Sequence, residues 1–220
     1  GRGVAGKKHG VLAAERPFLE EVARAVGLEG EDVPAPAEGA PAVRAWPRHP
    51  LAYLMEAADD ICYSILDIED GFRLGHVGYV EVAGRLERIV ERDPRFKPRK
   101  PATASERKEA IAYLRAKAIN QLANEVAAAF LEHEPALLDG HLGTHLADIV
   151  PSSAPLADIT AFTRDTCYRA RDVVEIELAG YEVLSALLDD FVPAVLTAAP
   201  TLRQRKLLDL LPDPPGPDTS

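Results

Sequence analysis

Two cysteines in 220 residues, Cys62 and Cys167, are too few for a disulfide scaffold and fit a reducing compartment, the cytoplasm. Both fall within helical patterns, where a cysteine reads as a small core hydrophobe. No run of about 18 apolar residues occurs, so no membrane span is expected. Gly1 to Gly6 carry neither an apolar leader segment nor an initiating methionine, and the chain reads as starting inside a longer one. Positive charge is also short: 25 Lys and Arg stand against 35 Asp and Glu, a net charge of −10. So acidic a chain gains nothing from counterion release on nucleic-acid phosphates. A local basic patch can still hold one anionic nucleotide. Strand-period stretches and internal repeats are missing too, which leaves an all-α chain.

What is present supports that reading. At 47% hydrophobic there is ample material for a core. Helical periods run over Pro17–Ala25, Val77–Glu91, Ser105 to about Leu131, about Pro155–Tyr168, a long helix capped by Asp172, and Leu202–Leu211. Residues 30–47 form a Pro/Ala/Gly-rich connector, and 212–220 a disordered tail. The helices are numerous and unequal, which suggests an irregular bundle over 1–211 rather than a symmetric four-helix one.

The densest signal lies between Arg48 and Asp70. Pro50 is placed to open a helix, where its missing N–H costs nothing. Leu51, Leu54, Ala58, Ile61/Cys62 and Ile65 follow at three- and four-residue steps as its apolar stripe. Asp59, Tyr63 and Asp67 are four apart and share a face. Between Arg48 and Arg73 there is no Lys or Arg, but there are Glu56, Asp59, Asp60, Asp67, Glu69 and Asp70. Like charges at helical spacing repel, so the run calls for a cation or a basic neighbour. A solvated acidic face is the plainer alternative.

The run RHPLAYLMEAADDICYSILDIEDG resembles the signature helix of bacterial deoxyguanosinetriphosphate triphosphohydrolases, members of the HD-domain phosphohydrolase superfamily. Weaker matches follow the same order: Lys7-Lys8-His9-Gly10, Tyr113-Leu114-Arg115 with Asn120, and Val174 to Tyr181. The resemblance implies an irregular, partial HD-type all-α fold and hydrolysis of dGTP, or another dNTP, to deoxynucleoside and tripolyphosphate. It further implies a divalent metal of the Mg, Mn or Fe class, a homo-oligomer and a single-stranded DNA effector. By the same likeness Asp59 is a metal ligand, and Tyr63 packs on the deoxyribose or donates to phosphate. Asp67 accepts from the 3′-hydroxyl, Lys8 binds the triphosphate, and Glu177 and Tyr168 line the guanine pocket. Asp60 points about 100° away round the helix, and Arg115 reads as a structural ion-pair partner.

The chain departs from the family at both ends: past Leu210-Leu211-Pro212, where the family continues into further helices, it runs into a Pro-rich tail, and upstream a set of residues is missing. The distant His, the His-Asp doublet, and the catalytic His and Glu belong upstream of Lys8, and no His-Asp dipeptide occurs anywhere. His141 and His145, the one pair at helical ligand spacing, read as loop or helix-start residues. The expectation is a piece of the enzyme, clipped at both ends, with one of four metal ligands, weak metal binding and no activity alone. Two alternatives stand: an HD-type deoxynucleotidase of broader base choice, and a non-catalytic helical interaction or regulatory module.

Overall fold

A computed structural model describes residues 11–34, 42–98 and 101–212. A 3-10 turn, Ala13–Glu15, leads into α1 (Arg16–Ala25), and the bulk of the chain is α2 (Pro50–Leu74), α3 (Tyr79–Val90) and α4 (Ala104–Glu132). The short helices α5 (Glu134–Leu138) and α6 (Leu146–Ile149) precede α7 (Ser153–Thr166), α8 (Arg171–Leu196) and α9 (Leu202–Leu208). The all-α expectation holds. One local correction applies within the connector: β1 (Glu31–Val33) pairs antiparallel with β2 (Val43–Ala45), Glu31 opposite Ala45. Three-residue strands are too short to leave a period-2 signal. Residues 213–220 of the expected tail lie outside the described residues. No helix among the described residues is long and apolar enough to cross a membrane.

The chain divides into two compact units, 1–167 and 168–220. In the first, α4 packs on both α2 and α3, while α7 closes against the same two helices. Their shared core includes Ile65, Ile68, Leu86, Ile89, Leu122 and Ile159, all at 0% exposure. The inward face of α2 is Tyr53, Ala57, Ile61, Ser64, Ile65 and Ile68. This corrects the expected stripe, because Leu51, Ala58 and Cys62 are exposed. Ile61 and Ile65 belong to both stripes, and α2 is apolar round most of its circumference, so period alone cannot choose between them. Cys62 is therefore a surface thiol, whereas Cys167 is buried as expected.

Helix ends follow local chemistry. Thr103, not Ser105, caps α4: its hydroxyl accepts from Glu106 N–H at 3.2 Å, and Glu106 accepts from Thr103 N–H at 3.3 Å and Ala102 N–H at 2.7 Å. Those backbone donors hold the Glu106 carboxyl below its usual range. A carboxylate with a depressed folded pKa stabilises above its unfolded pKa and loses that stabilisation as pH falls through the folded one. Glu106→Gln should therefore lower stability at neutral pH and flatten its decline in acid, as read by urea midpoints from pH 7 to pH 3.

Ala170, not Asp172, caps α8, and Asp172 lies in the first turn. Gly75 ends α2 at φ 82°, a left-handed position that glycine occupies without steric cost. Gly71 serves a different purpose, since a Cβ there would overlap the Cys167 sulfur. Gly71→Ala should cost about 1–3 kcal/mol by overpacking, outweighing the helix-propensity gain. Adding Cys167→Ala should restore most of the loss in chemical denaturation; no recovery would refute the proposed contact.

In the second unit α9 packs on α8, and Arg203 grips Asp190 with two hydrogen bonds of 2.7 and 2.6 Å. Val174, Leu178, Tyr181, Leu184 and Leu188, the apolar period of α8, are exposed.

Candidate functional site on α2

Burial of Ala57, Ile61, Ile65 and Ile68 fixes the rotation of α2, and the opposite side faces outward. Asp59 and Tyr63 are exposed there and Asp67 is half-buried. Each four-residue step rises about 6 Å, so the three side chains form a ladder along one flank. Met55, Cys62 and Leu66 are exposed beside them. The expected trio is thus on one surface. Asp59 and Tyr63 make no hydrogen bond or ion pair among the described residues.

The acidic run is partly neutralised from its own flanks. Arg48 donates to Glu56 at 2.5 Å, with the guanidinium side chain only 8% exposed. His145, which caps α6, brings Nδ1 to 3.5 Å from the same carboxylate. Glu69 is buried and holds Arg73 at 3.1 Å and Arg115 at 2.6 Å. Arg115 is therefore the structural partner expected of it. Composition had marked Glu56 and Glu69 as acids in want of a cation, and they find it in the arginines that bracket the run and in one 46 residues away. Glu69 and its arginines were missed as a cluster; the i,i+4 pair Glu69–Arg73 was the available signal.

The other expected site residues are not brought to this flank within the first unit. Tyr168 and Glu177 belong to the second unit, Tyr168 just before α8 and Glu177 in its second turn, both exposed. Lys8 lies outside the described residues. His141 is an exposed loop residue between α5 and α6.

A carboxylate such as Asp59 is a suitable oxygen donor for a hard divalent cation. One carboxylate is not a metal centre, however, and no group of three His, Cys, Asp or Glu suited to a metal occurs among the described residues. The residues present do not by themselves fit the implied cation, and no chemical step is assigned to one.

No family model matches the chain. It is 41% identical over 206 residues to a deoxyguanosinetriphosphate triphosphohydrolase-like protein of Synechocystis, covering 94% of this chain and 44% of that protein. A protein of the same name from Pseudomonas aeruginosa is 34% identical over 223 residues, covering 96% and 48%. A deoxyguanosinetriphosphate triphosphohydrolase of Yersinia pestis is 29% identical over 203 residues, covering 85% and 37%. The chain spans about half the length of the first two of these relatives. By this similarity, which runs almost from end to end of the chain, it belongs to the deoxyguanosinetriphosphate triphosphohydrolase family.

Proposed function

We propose that the protein of which this chain is part hydrolyses deoxynucleoside triphosphates, dGTP foremost, to the deoxynucleoside and tripolyphosphate. The reading is supported above all by the outward flank of α2, where Asp59 and Tyr63 stand uncommitted beside Asp67. In a protein that pairs Glu56 and Glu69 with arginines, an exposed carboxylate left without a cation is suited to one brought from outside.

In this proposal Asp59 is one ligand of a divalent cation of the Mg, Mn or Fe class. Tyr63 packs its ring on the deoxyribose, whose apolar face suits an amphipathic side chain. Asp67 accepts from the 3′-hydroxyl. Glu177 accepts from the N1–H and N2–H₂ edge of guanine, Tyr168 stacks on the base, and Lys8 holds the triphosphate as a compact cation.

The test is chromatography of dGTP, dATP, dCTP and dTTP incubated with Mn²⁺ and the full-length gene product, beside the 220-residue chain. Deoxyguanosine and tripolyphosphate from the full-length protein would support the reading. Equal turnover of all four nucleotides would favour a broader deoxynucleotidase. Silence from the metal-loaded full-length protein would sink it in favour of a non-catalytic helical module. Light scattering of that protein reads self-association, and added oligonucleotide in the assay reads a single-stranded DNA effector.

A further inference from the structure

A cleft of about 380 Å³ opens between α2 and α4, lined by Glu69, Phe72, Arg73, Lys108 and Ile111. Its size is at the lower end of small-ligand sites. It is not the same stretch of α2 as Asp59: Arg73 is fourteen residues further on, about 20 Å along the axis, and Phe72 lies round a different side of the helix. Glu69 has one oxygen on Arg73 at 3.1 Å and the other on Arg115 at 2.6 Å, so its single negative charge is shared by two guanidiniums. Each guanidinium keeps further N–H donors beyond those contacts. Lys108 adds a third cation and makes no ion pair among the described residues. The nearest other acids, Glu109 and Asp70, do not line the cleft. Glu109 accepts from Ser105 at 3.4 Å, and Asp70 is exposed on the helix surface three residues before Arg73.

Arg73 and Lys108 against Glu69 thus leave one positive charge in excess among the residues that line this cleft, in a chain whose net charge is −10. A buried carboxylate that fixes arginines while leaving their outer N–H groups open holds a donor set ready for an oxyanion. Beside it Phe72 and Ile111 form an apolar wall, and the Phe72 ring is held edge-on by Tyr79 at 6.4 Å between centroids. We propose that this cleft binds a phosphate-bearing small molecule. The phosphate lies on Arg73 and Lys108, and an apolar or aromatic ring lies against Phe72. The proposal stands apart from the hydrolytic reading of the Asp59 flank.

The test is isothermal titration of the chain with phenyl phosphate and with inorganic phosphate, without divalent metal, on wild type, Arg73→Ala, Lys108→Ala and Asp59→Ala. Arg73 and Lys108 are exposed, so both variants should keep the wild-type circular dichroism. Saturable binding of phenyl phosphate is expected, about tenfold weaker in either cation variant through loss of a charge-assisted contact. It should be unchanged in Asp59→Ala and weaker at high salt. Inorganic phosphate should bind several-fold less tightly, lacking the ring. Equal affinity for the two probes would overturn the ring-bearing ligand. Absence of binding, indifference to both cation variants, or loss in Asp59→Ala would overturn the site itself.

Discussion

Asp59→Ala in the full-length protein is expected to lower kcat/KM for dGTP by at least about 100-fold. Replacing a residue that merely supports a metal ligand costs about 10–100-fold, and the proposed role makes Asp59 a ligand itself. The fold should not suffer, since Asp59 is exposed on the side of α2 opposite the core, so the melting temperature should stay within a degree or two of wild type. Raising the Mn²⁺ concentration should recover part of the loss, a response that a structural role would not give. Asp67→Ala separates the neighbouring role. Losing a hydrogen bond to a charged acceptor is worth about 1.5–3 kcal/mol, or about 10–100-fold in kcat/KM for dGTP. With the 2′,3′-dideoxy analogue, which has no 3′-hydroxyl, wild type and variant should be nearly equal. An unequal response to the analogue would remove Asp67 from the sugar.

Ile65→Ala should destabilise the chain by about 2–5 kcal/mol, whereas Leu66→Ala, one residue on, should cost less than about 0.5 kcal/mol. Ile65 has no exposed surface and Leu66 is 40% exposed. The removed branch of Ile65 leaves a cavity among α2, α4 and α7 that a helix packed on two sides cannot collapse to fill. Denaturant midpoints of the two variants therefore read the rotation of α2 directly. Similar losses at both positions would mean that the helix is turned by a residue, which would carry Asp59, Tyr63 and Asp67 off the outward flank. Both predictions thus depend on the same rotation, one through chemistry and the other through packing.

Much of that geometry is visible in the residues alone. A helix places every fourth side chain on one face whatever surrounds it, so the common flank of Asp59, Tyr63 and Asp67 follows once α2 is a helix. Pro50 at its start and Gly75 at its end mark that helix by backbone chemistry that needs no neighbours. The long periods of α4 and α8 are legible for the same reason. β1 and β2 were not, because a three-residue strand has no period to read, and its partner supplies the hydrogen bonds that define it.

Burial and pairing depend on residues far away along the chain. Two overlapping apolar stripes run along α2, and contact with α4 and α7 selects the one through Tyr53, Ala57 and Ile68, leaving Leu51, Ala58 and Cys62 outside. Glu69 sits in an acidic run yet ends up neutralised by Arg115, which only the packing of α4 on α2 brings within 2.6 Å. The same packing opens the cleft that Arg73 and Lys108 share. Local periodicity encodes the angle at which a side chain leaves its helix. Whether that angle meets solvent, core or an opposite charge is settled by the helix packed against it.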